Sequence, residues 1–323
     1  MGVVGVVGVV VRFRLLRTPT PPTPTAALSS GGPRAPRCVS VRFVHECFDV
    51  TIENKVAHLQ LKRPDALNTM IPSFWTELPE IVRDIDAGAR ARAIVISSTG
   101  RHFCAGMDLS VFSGSSGLGG NGGTTEDGRR RGYLWMMVQH LQDSFTAMEE
   151  ARMPVLAAIQ GGCIGGAVDM VSAADMRYCT ADAFFCVMEI NIGMTADVGT
   201  LQRLPKIIPE GVARELAYTG DRMPAQRAYE CGLVNQVFDD HESLVAGTLE
   251  IAERIATHSP LAIWGTKEMI NYTRDHSVAD GLRHIAGWQS GMFQAGDMME
   301  EFAAKADKRD PEFEDLPTRP GGI

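Results

Sequence analysis

The feature that most restricts the fold is a pair of short, wholly apolar runs, each followed closely by a glycine-bearing turn. Ile94-Val95-Ile96 precedes Phe103-Cys104-Ala105-Gly106-Met107-Asp108-Leu109, and Val155-Leu156-Ala157-Ala158-Ile159 precedes the turn from Gly161 to Gly166. Runs this short and this apolar read as buried strands. The second turn opens a short apolar helix, Ala167 to Ala174, and further short strands are predicted over 176–180 and 184–187. Helices are predicted over 211–219, 224–231 and most of 242–307. Strand, turn and helix alternate, then helices follow alone. That order predicts an α/β domain with a helical C-terminal region.

The N-terminal side of this core reads in the same way. Val50 and Ile52 alternate in one arm of a hairpin, Ala57, Leu59 and Leu61 in the other, with Glu53-Asn54-Lys55 as the turn. Arg63-Pro64-Asp65-Ala66-Leu67-Asn68 breaks the strand, and a helix is predicted from about Pro72, with Pro79 as a candidate kink. Residues 113–132 hold eight glycines and three consecutive arginines and are predicted to be a loop, with a helix over 133–150. Gly117 to Gly122 matches GxGxxG formally. No strand precedes it and no helix opens on it, so a dinucleotide site is not expected.

Charge divides the chain into unlike parts. Residues 1–44 hold six arginines and no acid, which leaves the body at net −14 where the whole chain is at −8. The body is therefore no bulk-charge binder of nucleic acid. The leader is a transit peptide or an over-extended start. The first reading places the protein in the mitochondrial matrix, the second in a bacterial cytoplasm. Its apolar run is too short to span a bilayer. Seven irregularly spaced cysteines form no CxxC or Cys/His pattern, so neither a metal site nor a disulfide framework is expected.

The chemistry concentrates in 160–206. Gly165 and Gly166 lie where a strand turns into a helix, and the backbone N–H groups at such a point lack internal partners. They suit an oxyanion or an enolate. The turn at 103–109 could offer similar donors. Asp169 lies inside an apolar helix, Glu189 follows Phe184-Phe185-Cys186-Val187-Met188, and Asp197 lies between Ala196 and Val198. Apolar surroundings raise a carboxyl pKa toward the range useful for proton transfer. Taken singly, each acid is also compatible with a helix cap, a salt bridge or an exposed loop.

The motifs RPDALNTM, HFCAGMDL, GGCIGGAVDMVSAADMRY and YTGDRMPAQRAYECGLVNQVF together resemble the crotonase (enoyl-CoA hydratase/isomerase) superfamily over nearly all of 48–310. ADVGTLQRLPK and the Asp/Glu/Asp spacing are similar to its Δ3,5-Δ2,4-dienoyl-CoA isomerase branch. The resemblance implies a crotonase-type spiral of ββα units over 45–240 and a helical oligomerisation region over 241–323. It implies a homotrimer or homohexamer, an acyl-CoA substrate and no separate cofactor, with a place in fatty acid β-oxidation. It implies an oxyanion hole from the N–H groups of Ala105 and Gly166. Substrate contacts would come from Arg63, Ala105, Gly106, Met107, Asp108, Leu109, Gly165 and Gly166. Glu189 and Asp197 would be the acid/base pair, with Asp169 as a buried partner.

Two rivals remain at this point. A 2-enoyl-CoA hydratase of the same fold would hold a water between two glutamates, where this chain has the shorter Asp169. A non-catalytic RNA-binding protein of the same fold would not need all three carboxyls. No GxSxG elbow marks a serine hydrolase. For the CoA phosphates, candidate cations are Arg63, Lys267, Lys305 and the Arg129–Arg131 run.

Overall fold

The structure, a computed structural model, describes residues 45–108, 111, 122–293 and 295–321. The leader over 1–44, Leu109 and the part of the predicted loop over 113–121 lie outside the described residues. Strands β1 (Phe48–Glu53) and β2 (Val56–Leu61) form the expected hairpin, with Asn54 and Lys55 both at positive φ in its turn. The remaining strands of the main sheet are β3 (Ala93–Ser98), β4 (Val155–Ile159), β6 (Met176–Thr180) and β9 (Gln236–Phe238). The order is β1-β2-β3-β4-β6-β9, and every pairing after the hairpin is parallel.

A second sheet has the order β5-β7-β8, from Gly162–Ile164, Phe184–Cys186 and Met223–Pro224. The chain thus gives β4 to one sheet and β5 to the other, then β6 to the first and β7 to the second. This is a spiral of the crotonase type. The glycine turn over 161–166 contains a strand, β5, that its composition concealed.

The apolar runs are explained by what covers them. Ile94 and Ile96 face one core with Val155, Ala157 and Ile159. Ala93 and Val95 face a second with Leu156 and Ala158. Successive side chains of a strand point to opposite faces, so a sheet covered twice must be apolar at every position. The first cover is α1 (Pro72–Ala87) with α2 (Asp127–Glu150); α1 starts on Pro72 and runs unbroken past Pro79. Helix α2 begins six residues earlier than predicted, because Glu126 accepts from the N–H groups of Gly128 and Arg129 and caps it. The arginine run therefore lies in its first turn, where Arg129 and Arg130 pair with Glu126 and Asp127.

The helices that follow are α3 (Gly166–Ser172), α4 (Thr200–Arg203), α5 (Glu210–Thr219) and α6 (Ala225–Glu230). Helix α7 (His241–Ala256) lays Leu244, Ala252 and Ala256 on the second core. It is followed by α8 (Pro260–Thr273), α9 (Val278–Met292) and α10 (Ala295–Asp307). Beyond α10 the chain returns to the core, where Arg319 pairs with the buried Asp86, itself bonded to Arg152. Among the described residues no helix is long and apolar enough to cross a membrane.

Candidate active site

Two loops meet at the C-terminal ends of β3 and β5. The Cys104 N–H donates to Gly162 O (3.2 Å) and the Ile164 N–H to Cys104 O (3.1 Å), so the turn after β3 runs beside β5. The Met70 N–H donates to Gly106 O (2.9 Å) and the Asp108 N–H to Met70 O (3.0 Å), fixing the turn from its other side. Between these ties the Met107 N–H has no acceptor among the described residues. The N–H of Gly166, first residue of α3, has none among them either. The two are neighbours, since a methyl group placed on Gly166 would lie 3.8 Å from the Met107 nitrogen.

This corrects the expected oxyanion donors. The Ala105 N–H donates to Leu67 O at 3.0 Å and is not available to a ligand. The open pair is Met107 and Gly166, and the N-terminal dipole of α3 points the same way.

Glu189 lies beside this pair, and Asp169 and Asp197 are near enough to act on it through their charge. Gly165 has φ +57°, and a Cβ there would stand 3.2 Å from Glu189 Oε1. Any side chain at 165 would strain the backbone and press on that carboxyl, which gives Gly165 a local reason beyond the turn. Glu189 sits in a short 3-10 turn, Met188–Ile192, after β7, and its Oε2 is buried without a partner among the described residues. Burial first, and the charges of Asp169 and Asp197 after it, push Glu189 up to about 7.

Asp169 projects from α3 with none of its surface exposed. Its Oδ1 accepts the Thr200 N–H at 2.6 Å, while Oδ2 has no partner among the described residues. Burial raises it to about 6, against the opposing pull of the Thr200 N–H bond. Asp197 is half-buried and is also raised by burial. Its own carbonyl accepts from Gln142 Nε2 at 2.7 Å. The three acids foreseen in apolar sequence are therefore brought to one place, all three shifted toward neutral pH.

The other expected contacts divide. Gly106 and Asp108 belong to the same turn, and Asp108 Oδ2 accepts from Thr69 Oγ1 at 2.9 Å. Arg63 is half-buried and directs Nη1 at Thr69 O (2.8 Å), so it braces the RPDALN turn. Lys267 is 6% exposed and bonds Met148 O, Met153 O and Asp175. It is a buried strut, and the expectation that it meets CoA is overturned. Lys305 is on the surface of α10, 3.8 Å from Glu301. Two groups were not foreseen, the Thr200 N–H and the Gln142 amide, and neither carries a signal in the sequence; Met107 was expected as a substrate contact but not as an open donor.

Comparison with known proteins places the chain in a family. Residues 51–316 match the family described as enoyl-CoA hydratase/isomerase.

The chain belongs to the enoyl-CoA hydratase/isomerase family.

Within the family it is 42% identical over 268 residues to the mitochondrial Delta(3,5)-Delta(2,4)-dienoyl-CoA isomerase of Pongo abelii, covering 82% of this chain and 81% of that one. It is 40% identical over 264 residues to the peroxisomal Delta(3,5)-Delta(2,4)-dienoyl-CoA isomerase of Arabidopsis thaliana, covering 82% and 94%. Among solved structures, an enoyl-CoA hydratase from Bacillus anthracis superposes with a TM-score of 0.74 at 28% identity, over 84% of this chain and all of that one.

Proposed function

We propose that the protein is a Δ3,5-Δ2,4-dienoyl-CoA isomerase. The observation that carries the reading is two open backbone N–H groups beside two separately mounted carboxyls, one of them held near neutral pH. The thioester oxygen of a 3,5-dienoyl-CoA would accept from the Met107 and Gly166 N–H groups. Asp197, ionised, takes a proton from C2, and the electron pair spreads through the diene to C6 and onto the thioester oxygen. The two N–H groups stabilise that charge as it forms. Glu189, still protonated near neutral pH, gives its proton to C6. The double bonds then lie at 2 and 4, and no atom is gained or lost. Asp169 supports the site: its negative charge helps hold the proton on Glu189, and its bond to Thr200 fixes the loop that carries Asp197.

A hydratase is not favoured. It needs a water held by two carboxyls at one point, and one oxygen of Asp169 is engaged by the Thr200 N–H. The reaction drawn calls on no cofactor beyond the CoA of the substrate. Arg63, half-buried in the turn after β2, remains a candidate cation for its phosphates. The exposed apolar residues Val278, Leu282, Phe293, Met299 and Phe302 on and beside α9 and α10 suit burial against further copies, as in a homotrimer or homohexamer. A mitochondrial location for the leader reading is consistent with the names of the animal relatives.

The test is direct. A 3,5-dienoyl-CoA is mixed with the protein and the conjugated 2,4-dienoyl chromophore is followed, with hydration of a 2-enoyl-CoA measured in parallel. Fast isomerisation with slow hydration is expected. Fast hydration without isomerisation overturns the reading.

A further inference from the structure

We propose that Arg203 is a positioning residue that holds the Asp197 loop against Asp169, and that Glu149 clamps it in place. The inference rests on the isomerase reading for what the loop does, but not for how it is held.

Arg203 lies on α4, one turn beyond the loop. Its Nη1 donates to Val198 O at 3.3 Å. The same nitrogen occupies the space where a Cβ at Gly199 would stand, so the guanidinium lies directly on the loop backbone. Gly199 has φ +135°, which reinforces the demand for glycine there. On the other side, Nε and Nη2 of Arg203 both donate to Glu149 Oε2, at 2.9 and 2.6 Å. Glu149 Oε1 accepts from Arg274 Nη1 at 2.8 Å, and its carbonyl accepts from Asn271 Nδ2 at 3.2 Å. The clamp therefore joins α2, α4 and α8, along a cleft of about 570 Å³ that lies behind the loop.

Both partners are largely buried, with side chains 14% and 21% exposed. An Arg–carboxylate contact of this kind is far better fixed than a surface pair. The loop it holds carries two links to the chemistry, the Asp197 side chain and the Thr200 N–H on Asp169. Arg203 also acts on Asp169 through its charge, which favours the ionised form. The other titratable groups facing Asp169 are Asp197, Glu189 from the turn after β7, and Cys163 from β5. Of these four groups Arg203 is the cation.

Arg203→Met, Arg203→Lys and Glu149→Gln test this. Arg203→Met is expected to lower kcat about 100-fold with KM little changed, the size of effect a misplacement of roughly 1 Å produces. Isotope-edited infrared titration of protein labelled with ¹³C-aspartate reads the carboxyls without any substrate. An aspartate ionisation moves upward in Arg203→Met and returns in Arg203→Lys, which keeps the charge. Glu149→Gln keeps the Arg203 charge and removes its clamp, so it is expected to lower kcat by less than Arg203→Met does, with no upward shift of the aspartate; it serves if Arg203→Met does not fold. An unchanged aspartate titration in folded Arg203→Met, or full kcat in folded Glu149→Gln, overturns the proposal. A shifted titration in a protein that never isomerises a dienoyl-CoA upholds the clamp and removes the reaction assigned to it.

Discussion

Glu189 is held in a form that costs stability at the pH where the enzyme would work. Its carboxyl is raised from 4.5 to about 7, chiefly by burial. Each tenfold change in proton affinity is worth about 1.4 kcal/mol, so ionising Glu189 in the fold costs up to about 3 kcal/mol relative to the unfolded chain. The sign follows from proton counts. Between pH 4.5 and 7 the unfolded chain has released this proton and the native state still holds it, so stability falls as pH rises. Below pH 4.5 both states are protonated and nothing is lost. Glu189→Gln removes the ionisation and keeps the shape. Near pH 4.5 the variant should unfold like the parent; at pH 8 it should be more stable by up to about 3 kcal/mol, roughly 5 °C in Tm for a chain of this size. Thermal unfolding from about pH 4.5 to 8.5 at matched protein concentration reads the difference, since assembly shifts Tm with concentration. The same variant should lose isomerase activity. A Tm difference that stays flat across this range refutes the burial argument, and full isomerase activity refutes the role given to Glu189.

Gly165→Ala places a methyl 3.2 Å from Glu189 Oε1 at φ +57°; it should cut kcat at least tenfold and cost about 1–2 kcal/mol of stability by denaturant titration. Gly166 is the first position of α3, where proline is tolerated. Gly166→Pro should therefore lower kcat about 100-fold or more by deleting one donor, while Gly166→Ala, with a similar Cβ but its N–H intact, should lose much less. Lys267→Met leaves Asp175 short of a buried cation and should cost about 3 kcal/mol or more, with KM for the acyl-CoA unchanged in the folded fraction. In steady-state kinetics, kcat should fall as pH rises through about 7, where Glu189 loses the proton it donates. A flat alkaline limb to about pH 9 would reverse the acid and base assignments.

The fold was legible where a pattern has one structural cause. A run apolar at every position needs cover on both faces, and β3 and β4 have it from two separate cores. The hairpin was equally plain, because alternation on either side of Asn54-Lys55 admits one register. The start of α2 was misread for an equally specific reason. Gly128 and Gly132 resemble loop residues, but the Glu126 carboxylate and the tertiary packing further along the helix outweigh their propensity. Strand β5 was hidden because its pairing with β7 is non-local, and a glycine turn carries no trace of its partner.

The candidate acids and the backbone donors differ in the same way. A carboxyl in apolar sequence is visible because burial without function is expensive, and burial raises all three of Asp169, Glu189 and Asp197. A backbone N–H has no such mark, since every residue but proline carries one. Which N–H is open depends on which acceptors the fold brings near. Leu67 O takes the one at Ala105, and the opposing loops leave the one at Met107 open among the described residues. The lysine at 267 fails in the opposite direction: its charge suggested a phosphate partner, while the fold needed a cation to gather two carbonyls and Asp175 beneath α8. Charge in a sequence thus announces that a partner exists. Only the folded backbone decides whether that partner is substrate or the protein itself.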